Sequence, residues 1–123
     1  MNEKQATQSY NITPVSKPRM TNSDRWRKRA CVERYWDFKA QVRDLGVSVK
    51  SGDCIRFTLP MPKSWSQKKK AEMDGKPHQQ KPDWDNLAKA LCDAVYDDDA
   101  HLWRMTIEKV WGVEGRIEVT NHE

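Results

Sequence analysis

The sequence predicts a single α+β domain, with about four strands in a mixed sheet and two main helices in the order β-α-β-α-β-β. Three observations carry this expectation. A length of 123 residues suits one domain with one core and is too small for separate catalytic and binding domains. Two segments repeat apolar residues at steps of three and four. Other segments alternate them at steps of two, and no internal repeat is visible.

Residues 1–8 are expected to fray. Ser9-Tyr-Asn-Ile-Thr-Pro14 reads as a short strand with Tyr10 and Ile12 on one face, ended by its proline. After the basic connection Ser16-Lys-Pro-Arg-Met-Thr21, any of Thr21, Asn22 or Ser23 can cap a long helix running to about Leu45. Its apolar stripe is Cys31, Tyr35, Phe38, Val42 and Leu45, and Gly46 is a plausible C-cap. Arg25, Arg27, Lys28, Arg29, Arg34, Lys39 and Arg43 occupy the other faces, where a solvated helix surface explains most of them without any function.

Asp53–Pro60 places Ile55, Phe57 and Leu59 on one side, the pattern of a half-buried strand. Residues 60–82 then form a long basic loop with little core material, holding one short helix after Ser66 that ends near Gly75. A loop of this length in so small a domain is more often functional than idle. Lys68, Lys69, Lys70, Lys76 and Lys81, with Trp65 nearby, can follow a phosphate backbone and stack on a base. A disordered lysine-rich insertion would explain the same composition.

Asp83 is a good N-cap for a helix to about Val95, with Trp84, Leu87, Ala88, Leu91, Ala94 and Val95 as its buried face. Asp85, Lys89 and Asp93 then line up opposite at steps of four. Residues 102–111 alternate, with Trp103, Met105, Ile107 and Trp111 opposed to Leu102, Arg104, Thr106 and Glu108. Gly112-Val-Glu-Gly115 turns the chain into a last strand, Arg116 to Thr120, carrying Ile117 and Val119.

The chain carries 22 basic against 18 acidic side chains, a net charge of +4, and a pI near 9.0. Those charges are unevenly placed: bases dominate from Lys17 to Lys81, whereas Lys89 is the only base from Asp83 to Asp99. A basic surface around a small acidic pocket is implied, with evenly spread solubilising charge as the plainer explanation. Cys31, Cys54 and Cys92 form no Cys-x-x-Cys pair, and His78, His101 and His122 lack ligand spacing, so neither disulfides nor zinc are expected. No apolar run reaches membrane-span length and the polar start lacks a signal-peptide core, which leads to the expectation of a soluble cytoplasmic protein.

Carboxylates crowded in one place repel and raise each other's pKa, so such a cluster usually needs a cation, and hard oxygen donors suit Mg²⁺ or Mn²⁺. Capping and dipole roles would account for Asp83 and Asp85. They leave Asp97-Asp-Asp99 unexplained, where a helix entering the sheet can bring Asp98 or Asp99 back beside Asp83. A surface turn remains an adequate account of Asp97. Three carboxylates from two elements can share one or two Mg²⁺ ions that bind a phosphate and acidify an attacking water. Lys89 is either an ordinary i, i+4 partner of Asp85 or a cation that stabilises charge developing on the phosphate. Asn86 either supports a ligand or caps. An acidic metal site on a basic chain points to phosphodiester chemistry.

The string Lys81-Pro-Asp-Trp-Asp-Asn-Leu-Ala-Lys-Ala-Leu-Cys-Asp-Ala94, with Asp98-Asp99 downstream, resembles the RusA family of Holliday junction resolvases. Specificity lies in the combination of Asp-x-Asp-Asn-x-x-Lys, an Asp-Ala one turn beyond that lysine, and a later Asp-Asp. Lys17-Pro-Arg-Met-Thr21, Met61-Pro-Lys-Ser-Trp-Ser66 and Lys109-Val-Trp-Gly112 look like its phage and prophage branch, so the resemblance runs from about Tyr10 to Val119. It implies Asp83, Asp85 and Asp99 as metal-binding aspartates and Lys89 as catalytic lysine. Asn86, Asp93 and Asp98 would support them, and Lys17, Arg19 and the loop lysines would contact DNA. It also implies a homodimer that binds four-way DNA junctions and, with Mg²⁺, introduces paired symmetric nicks in recombination or repair. The connection from Val95 to Asp98 is shorter than in other relatives, so Asp98 and Asp99 stay alternatives for the third ligand, with Asp97 able to enter the site. The competing expectations are a junction-binding architectural protein without catalysis and a metal-dependent phosphatase, which would leave the basic loop and helix without a role.

Overall fold

The computed structural model describes residues 5–19 and 30–122. Its elements are β1 (Gln5–Tyr10), α1 (Ala30–Asp44), β2 (Cys54–Pro60), α2 (Gln67–Met73), α3 (Trp84–Val95), β3 (Thr106–Gly112) and β4 (Arg116–His122). The four strands form one mixed sheet in the order β1-β4-β2-β3, with β2 parallel to β3 and β4 antiparallel to both β1 and β2. This is the α+β class that the patterning predicts, with α2 as a third, short helix.

Alternation in β2 turns Ile55, Phe57 and Leu59 inward, opposite Ile117 and Val119 of β4, and against this face pack Tyr35, Phe38 and Val42 of α1 and Leu87, Ala90, Leu91 and Ala94 of α3. Burying each large apolar side chain there contributes roughly 1.5–3 kcal/mol. The other face of the sheet is polar, and across it Arg56 Nε donates to Glu108 Oε1 at 2.7 Å. Both helices thus lie on one side of the sheet, and the acidic helix α3 has the sheet beneath it as a fixed platform.

Local signals placed several boundaries well. At the end of α1, Gly46 adopts φ +64°, its N–H donates to Arg43 O, and Val47 N–H donates to Val42 O, the hydrogen-bond pair of a Schellman cap. Ser66 caps α2 by accepting from Lys69 N–H at 3.1 Å. The expected caps Thr21, Asn22 and Ser23 and the bases Arg25 to Arg29 lie outside the described residues.

Other expectations need correction. The first strand is Gln5–Tyr10, earlier than Ser9–Pro14, because it pairs along its whole length with β4, and Ile12 is buried in the segment after it. Residues 5–8 are therefore part of the sheet. On α1 the buried row is Val32, Tyr35, Phe38 and Val42, while Cys31 is half-buried and Leu45 exposed. Trp84, placed on the buried face of its helix, is 58 % exposed, Trp103 is 79 % exposed, and β3 begins only at Thr106.

The turn 112–115 does not close a hairpin, since β2 lies between β3 and β4. It carries the chain past the end of β2 at close range. A Cβ on Gly112 would stand 2.3 Å from Thr58 Cγ2, and one on Gly115 would stand 2.5 Å from Thr13 Cα, so both positions exclude a side chain.

Candidate active site

The acidic end of α3 is positioned by β3. Residues Gly75 to His78 run along the outer edge of that strand: Gly75 N–H donates to Trp111 O at 2.8 Å, Trp111 N–H to Lys76 O at 2.9 Å and His78 N–H to Lys109 O at 3.0 Å. This covers a sheet edge that would otherwise present unpaired backbone groups. The Lys109 ammonium then donates to Gln80 O at 2.7 Å and Pro82 O at 2.8 Å, fastening the chain immediately ahead of Asp83. Part of the expected long loop is thus held by the sheet. Sequence reasoning missed Lys109 as a positioning residue, although it stands in the Lys109-Val-Trp-Gly112 string.

Asp83 has the extended backbone of an N-cap residue, yet its carboxylate makes no capping hydrogen bond. Both its oxygens instead accept from Lys81 Nζ at 2.9 Å. Side-chain capping therefore does not account for this aspartate. Asp85, in the first turn, lies 4.0 Å from Lys89 Nζ, an ion-pair separation longer than a hydrogen bond. All four of these side chains are substantially exposed, and ion pairs of this kind contribute at most about 1 kcal/mol. A stronger ligand of either carboxylate can therefore displace its lysine at little cost.

Asp93, two turns beyond Asp85, accepts from Lys17 Nζ in a short ion pair and from Tyr35 Oη at 3.4 Å. The hydrogen bond to Asp93 holds the Lys17 ammonium above its ordinary pKa, against the opposing effect of burial, with further contributions from Asp93, Tyr35 and Asp99. Lys17 N–H also points to Asn86 O at 3.4 Å, so the segment after β1 is tied to α3 at two points. Burial, then the Asp93 charge, raises the Tyr35 phenol.

Asp99 lines a cleft with Ala88 and Cys92 of α3 and with Trp103 and Arg104. Burial pushes the Cys92 thiol up to about 11, with the charges of Asp99 and then Asp93 adding to the effect. Asp98 Oδ1 accepts from Ala100 N–H at 2.9 Å, and Asp97 lies 3.5 Å from Arg43. Among the described residues no group of three or more aspartate, glutamate, histidine or cysteine side chains is arranged to hold a metal ion. Asp83, Asp85 and Asp99 are therefore not gathered into one such group. The donor chemistry of Asp83 and Asp85 nevertheless fits Mg²⁺, which usually takes one or two protein carboxylates and completes its shell with water and substrate phosphate.

Lys68, Lys69 and Lys70 stand on α2, which buries none of its residues, and Lys69 Nζ lies 4.3 Å from the centre of the Trp65 ring. Lys76 and Arg19 are exposed. Cys31, Cys54 and Cys92 are free thiols, and among the described residues no helix is long and apolar enough to cross a membrane.

A family model described as endodeoxyribonuclease RusA matches residues 10–120. No curated protein matches the chain.

Proposed function

The chain belongs to the RusA endodeoxyribonuclease family, and from that premise we propose that it resolves four-way DNA junctions by Mg²⁺-dependent, paired symmetric nicks. The observation that carries this reading is the match over residues 10–120 together with the Asp83 carboxylate, which sits at an N-cap without capping. Asp83 and Asp85 would hold Mg²⁺, or Mn²⁺ in its place, with Asp99 or Asp98 as the third donor. Such an ion supplies positive charge to the phosphate and acidifies water at neutral pH.

The chain's own groups have separable tasks. Lys89, one helical turn from Asp85, offers its ammonium to a non-bridging phosphate oxygen, where negative charge grows during in-line attack. Lys81 neutralises Asp83 until a phosphate or cation arrives and then becomes a phosphate contact. Lys109 keeps the link into α3 in one position, so the carboxylate at its start is presented without reorganisation. Lys68, Lys69, Lys70, Lys76 and Arg19 add sequence-independent attraction to the backbone. A homodimer would offer two equivalent sites to two equivalent strands, acting in the cytoplasm.

Incubating the protein with a synthetic four-way junction and a matched linear duplex, in Mg²⁺ or in EDTA, tests the reading. Paired nicks in the junction alone, present only with Mg²⁺, are expected. Tight junction binding without cutting would replace it with a branched-DNA-binding architectural role, and indifference to the branch would remove both.

A further inference from the structure

The cleft that Asp99 shares with α3 has one wall that the chemistry above does not use. The cleft holds about 460 Å³, within the roughly 300–1,000 Å³ of small-molecule sites. Trp103 forms that wall and is 79 % exposed, more than any other large apolar side chain among the described residues. An indole left in water contributes little of the burial that makes large apolar side chains stabilising, so folding does not account for a tryptophan here. Single exposed apolar residues are ordinary on a protein surface, but this one is braced. Leu102 N–H donates to Asp99 O at 3.0 Å, Gly52 N–H donates to Arg104 O at 2.7 Å, and Trp103 N–H points to Ser51 Oγ at 3.4 Å. The backbone is thus fixed on both sides of the ring, which lowers the cost of ordering it when a ligand arrives.

The helix side of the cleft leads to the candidate site. Trp84, Ala88 and Cys92 follow one another at steps of four along α3, next to the row of Asp85, Lys89 and Asp93. Ala88 and Cys92 line the cleft, so a ligand lying against Trp103 runs alongside the row that carries Asp85 and Lys89. The chemistry of the walls selects the ligand. Half-buried Leu102, Met105 and Ile107 make the lining apolar, and Arg104 stands exposed beside the ring. An open aromatic face with a neighbouring cation is what an unpaired nucleic-acid strand uses, its base stacking on the ring and its phosphate meeting the charge. A fatty chain would leave Arg104 and Asp99 without a role. An intact duplex has no base free to stack here, because its bases already stack on one another.

We propose that this cleft takes an unpaired nucleotide of a DNA strand, with its base stacked on Trp103 and its phosphate against Arg104. This deepens the nuclease reading and rests on it for its biological meaning. A base is most easily unstacked where the duplex is interrupted, and Trp103 holds such a base beside Asp99 and the charged row of α3.

The test uses the full chain in metal-free buffer, with a labelled short thymidylate oligomer and an abasic oligomer of equal length as probes, read by fluorescence anisotropy. The thymidylate is expected to bind at least about fivefold more tightly, the lower end of what one base–aromatic stack contributes. Trp103→Ala should bring the two oligomers within about twofold of each other, and Trp103→Tyr should restore most of the difference. Trp36→Ala, which removes another exposed indole, should leave the difference unchanged. Arg104→Ala should weaken both oligomers alike. Equal binding of the two oligomers by the unaltered protein, or a preference that survives Trp103→Ala, overturns the proposal. So does sedimentation in which Trp103→Ala converts a dimer to a monomer, because the ring then belongs to a contact between copies. Junction nicking is scored separately: a protein that nicks a junction without preferring the base-bearing oligomer loses only the stacking site, and one with a Trp103-dependent preference that does not nick loses only the nuclease reading.

Discussion

The lysines of α2 and the lysines that meet α3 carry the same charge in opposite circumstances. Lys68, Lys69 and Lys70 project from a helix that buries nothing, and none forms an ion pair with a described carboxylate. Lys17, Lys81 and Lys89 each stand against an aspartate of α3 or of its N-cap, at Asp93, Asp83 and Asp85. The first group adds positive potential that an approaching phosphate backbone can use at a distance. The second is already paired with carboxylates of the candidate site. Charge of one sign is thus divided between attraction of a ligand and maintenance of the site, and only the partners distinguish the two roles.

The sharpest way to break this division is to remove the carboxylates. Asp83→Asn or Asp85→Asn is expected to reduce junction nicking below detection while binding is kept or tightened, because a charge that repels phosphate is gone; gel-shift and nicking assays on the same preparation decide it. If binding is lost together with folding, Asp83 belongs to the scaffold. Next in size, Lys89→Ala should slow nicking by roughly 10²–10³-fold with affinity nearly unchanged. An unaltered rate would return Lys89 to a plain i, i+4 pair.

Changing Lys68, Lys69 and Lys70 together to alanine should weaken binding to every DNA tested and flatten the dependence of log K on log salt by up to about 2.7, since each released counterion contributes roughly 0.9. An unchanged slope would show that α2 stays away from the DNA. Stability separates the groups in the other direction. Lys17→Met should cost about 1 kcal/mol in urea unfolding and less when Asp93→Asn is already present, whereas Lys68→Met should stay within about 0.5 kcal/mol of the unaltered protein.

The smallest effect concerns Cys92. Its thiol pKa is raised to about 11 in the folded chain against an ordinary value of 9.0, so folding favours the protonated form. The resulting stability is fully present below pH 9.0 and is lost as the pH climbs through about 11. With metal-free buffer at pH 8, Ellman's reagent should therefore modify Cys92 last of the three thiols, and Asp99→Asn should speed its reaction by removing a charge that raises its pKa. Equal reaction rates at Cys31, Cys54 and Cys92 would contradict that environment.

Much of this site could be read from local pattern. Asp83, Asp85 and Lys89 sit at the start of a helix because the 3.6-residue repeat of Leu87, Leu91 and Ala94 turns the opposite side outward. Partners were less legible. Lys17 was assigned to DNA but is held by Asp93, 76 residues away, and Lys109 fastens Gln80 and Pro82 across almost thirty residues. Periodicity also overstated burial at Leu45 and Trp84, because a helix can be amphipathic beyond the edge of the surface it packs on.

By itself the sequence determined the α+β class, the half-buried strand β2, the short helix after Ser66, the C-cap at Gly46, the helix carrying the aspartates and the family resemblance. Each of these depends on residues within a turn or two of one another, or on motif spacing, so short-range steric and hydrogen-bonding preferences suffice. Tertiary structure alone decided that β4 lies between β1 and β2, that β1 begins at Gln5, which aspartate each lysine meets, and that His78 is sealed against Trp111 with an unpaired nitrogen. Those outcomes depend on which distant surfaces compete for the same apolar face and the same hydrogen-bonding groups, and no local repeat encodes the winner.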